Sequence, residues 1–212
     1  MTALLTPGRS DVLIVVDMQR DFCPGGSLAV PDGDSIVAPI NQLARCFSHV
    51  ILTQDWHPSD HTSFARVHPG HKVYDTVMMP YGPQTLWPVH CVQSSSGAAF
   101  HPELDIPHAT AIIRKGTDRN IDSYSTFYEN DRVTPTGLVG YLKERRLTRI
   151  FLAGLALDFC IRYSAEDASV HDLEVVVVSD CCRPIDVNGS RAEAEAAFHR
   201  IGARMLSCED IC

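Results

Sequence analysis

The sequence predicts an α/β protein: a doubly wound, mainly parallel six-stranded sheet with helices on both faces. Three observations predict it. Short β-branched runs alternate with helical patterns along the chain. The runs are apolar throughout, as strands covered on both faces are. The 212 residues, 45% apolar and 21% charged, suit one ordinary domain with a full hydrophobic core.

Taken in order, the first run is VLIVVD at 12–17, followed by a helical pattern near 34–47 and a second run, HVILTQ, at 49–54. Residues 55–109 carry no clear period and are rich in His, Pro and Gly. A loop of that length in a compact domain is usually functional or disordered, and its density of His and aromatic residues favours function. TAIIRK (110–115) is the third run, then a helix near 135–146 and RIFLAGL at 149–155. A helix near 158–172 leads to EVVVVSD at 174–180. The last helix, near 189–202, is rich in Ala and Glu and stops at Gly202, before a weak sixth strand, ARMLS, at 203–207. Neither an internal repeat nor a low-complexity linker interrupts this order.

Composition narrows the function. A net charge of −8 without a basic stripe argues against a nucleic-acid surface. The first residues lack the pattern of a secretion signal, and no apolar run approaches the roughly 20 residues of a membrane span. A cytoplasmic protein is therefore expected, without membrane partners. Eight cysteines are present, but no C-x-x-C pair. Free, buried cysteine is the expectation for Cys46, Cys181, Cys182 and Cys208.

Ligands in open α/β sheets sit beyond the carboxyl ends of the strands, and polar residues fall there. Asp17 closes the first strand, Asp55 follows the second, Lys115 closes the third, and Cys160 lies five residues past Leu155. A cysteine at a helix start gains from the positive dipole end, which favours thiolate, while a nearby Asp can take the thiol proton. Asp17, Lys115 and Cys160 thus make a workable acyl-transfer triad. Asp55 and His57, two apart in an extended segment before Pro58, point to the same side. With a third ligand from His61 or a loop histidine such as His90, they suit Zn²⁺, Fe²⁺ or Mn²⁺.

The segments VDMQRDFCPGGSLAV, TQDWHPSDHTSF, LWPVHCVQ, RKG, DSYSTF and GLALDFC together resemble the nicotinamidases, a branch of the isochorismatase-like cysteine hydrolases. The resemblance runs nearly end to end, implying a single isochorismatase-like domain over 1–212, with residues 55–109 as its metal- and substrate-binding loop region. It implies hydrolysis of nicotinamide in NAD salvage, and of pyrazinamide, with Asp17 as base, Lys115 as the triad lysine and Cys160 as nucleophile. Asp55, His57 and His90 would hold one divalent transition metal ion, with His61 or Ser63 in reach of a variable further position. The backbone N–H groups of Ala156 and Cys160 would form an oxyanion hole beside a cis Leu155–Ala156 bond. The pyridine ring would lie between Phe22 and Trp87, with Tyr124 closing one side. One departure is visible: Leu157 and Phe159 stand where many members have threonine and a tyrosine or histidine. A homo-oligomer is compatible with the sequence, which singles out no exposed amphipathic seam. Two rivals are a different hydrolase on the same fold, acting on isochorismate or another small amide such as a carbamoyl compound, and a metal-storing or metal-sensing protein without turnover; the latter leaves Asp17, Lys115 and Cys160 unexplained.

Overall fold

Asp11–Val16 is buried at every position and forms β1 at the centre of the sheet. The computed structural model describes residues 4–212. The chain continues through α1 (Val37–Ala44), β2 (Val50–Asp55), β3 (Thr76–Met79), β4 (Gly82–Thr85) and β5 (Ala111–Lys115). Next come α2 (Leu138–Glu144), β6 (Arg149–Leu155), α3 (Arg162–Ser169), β7 (Glu174–Arg183), α4 (Ser190–Arg200) and β8 (Arg204–Leu206). The main sheet has the order β5-β2-β1-β6-β7-β8, and every neighbouring pair is parallel.

The side chains of β1 alternate between two cores. Leu13 and Val15 pack with Ile36, Ile40 and Leu43 of the α1 region and with Phe47, whose ring meets Phe151 edge-on at 4.8 Å. Val12, Ile14 and Val16 pack on the opposite face with Leu142 of α2, Ala165 and Ala168 of α3 and Phe198 of α4. Each such buried aliphatic or aromatic side chain stabilises the fold by about 1.5–3 kcal/mol, which is why the β-branched runs become central strands. β5 departs from the fully apolar expectation: at the sheet edge it alternates, with Ile112 53% exposed.

The chain moves outward from β1 to β2 and β5, then returns beside β1 as β6. The strand order therefore reverses between β1 and β6, and their carboxyl ends open a crevice there. Gly154 permits the close approach: its φ is +126°, and a Cβ there would run into the Val16 backbone.

Three expectations are corrected. Residues 55–109 are not wholly irregular, since β3 and β4 form an antiparallel hairpin within them. The helix expected from 158 begins as a π-turn, Leu157–Ile161, and becomes α-helical only at Arg162. Cys46 is not free but bonded to Cys212, because the C-terminal segment returns to the end of α1; Cys181, Cys182 and Cys208 are free. Among the described residues no helix is long and apolar enough to cross a membrane.

Candidate active site

Parallel pairing sets Asp55 and Lys115 side by side at the ends of β2 and β5. Lys115 is fully buried, and so is Asp17, just past β1. The ammonium Nζ lies 2.8 Å from Asp17 Oδ2 and 3.6 Å from Cys160 Sγ, donates to the Ser123 carbonyl at 3.0 Å, and also pairs with Asp55 Oδ1. Three residues from separate strand ends thus meet as the sequence predicts, with Lys115 between two carboxylates. Burial works against its charge, but Asp17 and Asp55 outweigh it and hold the ammonium pKa well above its ordinary value.

The same burial corrects the thiolate expectation. Cys160 is 6% exposed, and burial, only partly offset by Lys115, pushes its thiol well above the ordinary range. Burial also raises Asp17 against the pull of Lys115, with Asp55 adding to the rise. The resting pair is therefore a thiol beside an unusually basic carboxylate. Thr53 Oγ1 donates to Asp17 Oδ1 at 2.6 Å, fixing that carboxylate's rotation.

The turn after β6 carries the cis Leu155–Ala156 bond, as the resemblance implies. The Ala156 carbonyl accepts the Phe159 and Ile161 N–H groups, which closes the π-turn and brings Cys160 over the sheet edge. Ala156 and Cys160 both line one small, mostly apolar cleft. Phe22, Trp87 and Tyr124 line it too, and Tyr124 Oη accepts the Trp87 indole N–H at 3.1 Å. Phe159, noted above only as a departure, is a further wall, edge-on to Trp87 at 4.9 Å. Leu157 is buried in the core behind α3.

Asp55 and His90 line the cleft and converge with the buried His57, one ligand atom from each lying within 4.8 Å of the others. The His57 Nδ1–H faces the Gly116 carbonyl at 2.9 Å and the His90 Nδ1–H faces the Pro88 carbonyl at 2.8 Å. Both Nε2 lone pairs are thereby turned toward Asp55 Oδ2, at 3.6 and 3.8 Å. Backbone carbonyls on the far nitrogen are the usual second support of metal-binding imidazoles. His57 Nε2 is buried without a hydrogen-bond partner among the described residues, an unpaired acceptor that a metal ion would satisfy. Burial is the main cause that lowers His90 to about 4, whereas Asp55 and Asp122 raise His57 against its own burial, so without an ion the two imidazoles differ in charge preference. The donor set fits a divalent transition ion. His61 is placed differently, across His57 with Asp122. Its Nδ1 accepts from Ser63 Oγ at 2.7 Å and its Nε2–H meets the Ile121 carbonyl at 3.2 Å, so both nitrogens are engaged.

Four supporting residues have no role assigned from the sequence. Gln19 exchanges two hydrogen bonds with the Asp55 backbone, both 2.8 Å, and so holds that carboxylate's position. Asp21 accepts the Cys91 N–H at 2.7 Å, tying the His90 loop to the Phe22 loop. Asp122 lines the cleft 4.0 Å from His57 Nε2. Asp158 accepts from the Ile185 and Asp186 N–H groups and from Ser190 Oγ, anchoring the Cys160 turn. Their only sequence signal was position inside the quoted motifs.

Known proteins resemble the chain over nearly its whole length. The nicotinamidase of Acinetobacter baylyi is 51% identical over 199 residues, covering 94% of this chain and 93% of the relative. A solved nicotinamidase/pyrazinamidase of Acinetobacter baumanii superposes with a TM-score of 0.95 at 48% identity, over 96% of this chain and 98% of that one. The pyrazinamidase of Pyrococcus horikoshii, solved in complex with zinc, gives 0.77 at 34% identity, over 93% and 99% of the two chains. A family model described as the isochorismatase domain matches residues 11–210, and the chain belongs to that family.

Proposed function

We propose that this protein hydrolyses nicotinamide to nicotinate and ammonia through a thioester on Cys160, and that it accepts pyrazinamide. One observation carries the reading: the buried Lys115 ammonium joins Asp17 and Cys160 to Asp55 of the metal-type cluster, and Cys160 and Asp55 both open onto one aromatic cleft. The Acinetobacter relatives support the choice of substrate.

In this mechanism the ring sits between Phe22 and Trp87, against Tyr124, and water is kept out by their apolar faces. Asp17 takes the Cys160 proton as Sγ attacks the amide carbon, and Lys115 stabilises the charges that form. The oxyanion develops against the Ala156 and Cys160 N–H groups, each worth roughly 3 kcal/mol in such a site. Asp17 then gives its proton to the leaving ammonia. A water passes one proton to Asp17 as its oxygen attacks the thioester; the C–S bond breaks, Asp17 returns that proton to Cys160 Sγ, and the acid released ionises to the carboxylate in solution. What a zinc, iron or manganese ion on Asp55, His57 and His90 would supply is Lewis-acid attraction for a ring nitrogen. In this reading the chain is one domain, acts in the cytoplasm and serves NAD salvage.

The test is ammonia release from nicotinamide, pyrazinamide and a carbamoyl amide, with elemental analysis of the same sample. Nicotinamide and pyrazinamide should turn over, and Cys160→Ala should abolish turnover with metal content unchanged. Turnover surviving in that variant, or confined to the carbamoyl amide, overturns the proposal.

A further inference from the structure

The buried carboxylates near the cleft have evident counterparts. Asp17 and Asp55 face Lys115, Asp158 collects three donors, and Asp21 holds Ser27 and the Cys91 N–H. Glu129 stands apart. It is 6% exposed and makes no ion pair among the described residues, and burial pushes its carboxyl up to about 7. Its two oxygens converge on one backbone donor, the Gly116 N–H, at 3.3 and 3.2 Å, with Ser123 alongside. Placing an acid there is costly, and the fold gains something specific from it.

Gly116 is where Glu129 meets the metal-type cluster. Its φ is +63°, and a Cβ at this position would strike the His57 ring. Its carbonyl is the acceptor that holds the His57 Nδ1–H. One residue therefore leaves room for the imidazole and also sets its rotation, and the Glu129 carboxylate grips that residue from the far side. Glu129 is itself anchored: its N–H donates to the Thr134 carbonyl at 2.9 Å, and the next residue's N–H donates to the Asp122 carbonyl at 2.7 Å.

We propose that Glu129 is a positioning residue for His57: by accepting the Gly116 N–H it fixes the Gly116 carbonyl that aims His57 Nε2 at the shared site with Asp55 and His90. The inference rests on the reading of those three residues as metal ligands. Removing such an outer support costs metal affinity about 10–100-fold in comparable sites.

The experiment is zinc binding to the metal-stripped protein, read by competition with a chromophoric chelator and needing no substrate. Glu129→Ala should weaken zinc affinity by about 10–100-fold. Glu129→Gln should stay close to the parent protein, because its amide oxygen can accept the same N–H. Should the alanine variant fail to fold, Glu129→Asp, with its carboxylate drawn back by one methylene, should fold and show the loss. Parent affinity in both Glu129→Ala and Glu129→Asp overturns the proposal, as does an equal loss in Glu129→Gln and Glu129→Ala. Zinc retained at parent affinity by His57→Ala would instead overturn the ligand assignment beneath it.

Discussion

Lys115 and Asp17 form a fully buried ion pair beside a thiol, and removing one partner of such a pair typically costs 3–5 kcal/mol, whereas the intact pair adds little to stability. Its worth lies in what it does to Asp17. Burial raises that carboxyl above its ordinary value of 3.8 despite Lys115, so in the proposed mechanism Asp17 is a stronger base than a surface aspartate. It must be ionised to take the Cys160 proton, so kcat/KM falls as pH drops through the raised pKa. The acid limb of the pH profile is expected above the ordinary aspartate value, and a limb at or below it counts against Asp17 as the base. Asp17→Asn should lower kcat/KM by about a hundred- to ten-thousand-fold, measured as ammonia release at neutral pH.

Among the elements, the turn Leu157–Ile161 depends on a residue that faces away from the reaction. Asp158 accepts three hydrogen bonds from the segment after β7, which carries Ile185 into the cleft wall. Hydrogen bonds to a charged group contribute about 1.5–3 kcal/mol each and are not additive. Asp158→Ala is therefore expected to cost about 3 kcal/mol in urea unfolding and to raise KM for nicotinamide, since Ile185 and the π-turn lose their common anchor. Unfolding at the parent midpoint would refute this. The sheet and the three-strand meeting of Asp17, Lys115 and Cys160 were legible because β-branched runs mark strands and parallel order puts their ends together. The hairpin β3–β4 was not: its burial pattern is mixed, Pro83 lies inside it, and Met78 is 77% exposed. Gln19, Asp21 and Glu129 were equally silent. Their partners Asp55, Cys91 and Gly116 lie 36, 70 and 13 residues away, and one sequence does not show which distant backbone groups will meet. The thiolate expectation failed for a related reason, because the burial that raises the Cys160 pKa arises only when the sheet edge closes over it.

Across the whole molecule, chemistry and covalent closure sit at opposite edges of the sheet. The candidate site lies beyond the carboxyl ends of β1, β2, β5 and β6, whereas Cys46 lies just before β2 begins at Val50, at the amino edge. Its bond to Cys212 closes a loop with a sequence separation of 166 residues. Chain-entropy arguments give such a cross-link on the order of 5 kcal/mol as an upper figure, and measured values more often run 2–4. Cys46→Ser should thus lower the unfolding free energy by about 2–4 kcal/mol under non-reducing conditions while leaving kcat at 25 °C unchanged. Under strong reductant the parent protein should fall to the stability of the variant. The bond has a second consequence for a protein proposed to act in the cytoplasm, where thiols are kept reduced: the fold must hold without it, on the two cores packed against the sheet. Peptide mapping without reduction should recover the Cys46–Cys212 pair. Equal stability of parent and variant under oxidising conditions would show that the C-terminal segment is already held by its backbone contacts, among them the Leu5 N–H to the Asp210 carbonyl at 2.8 Å.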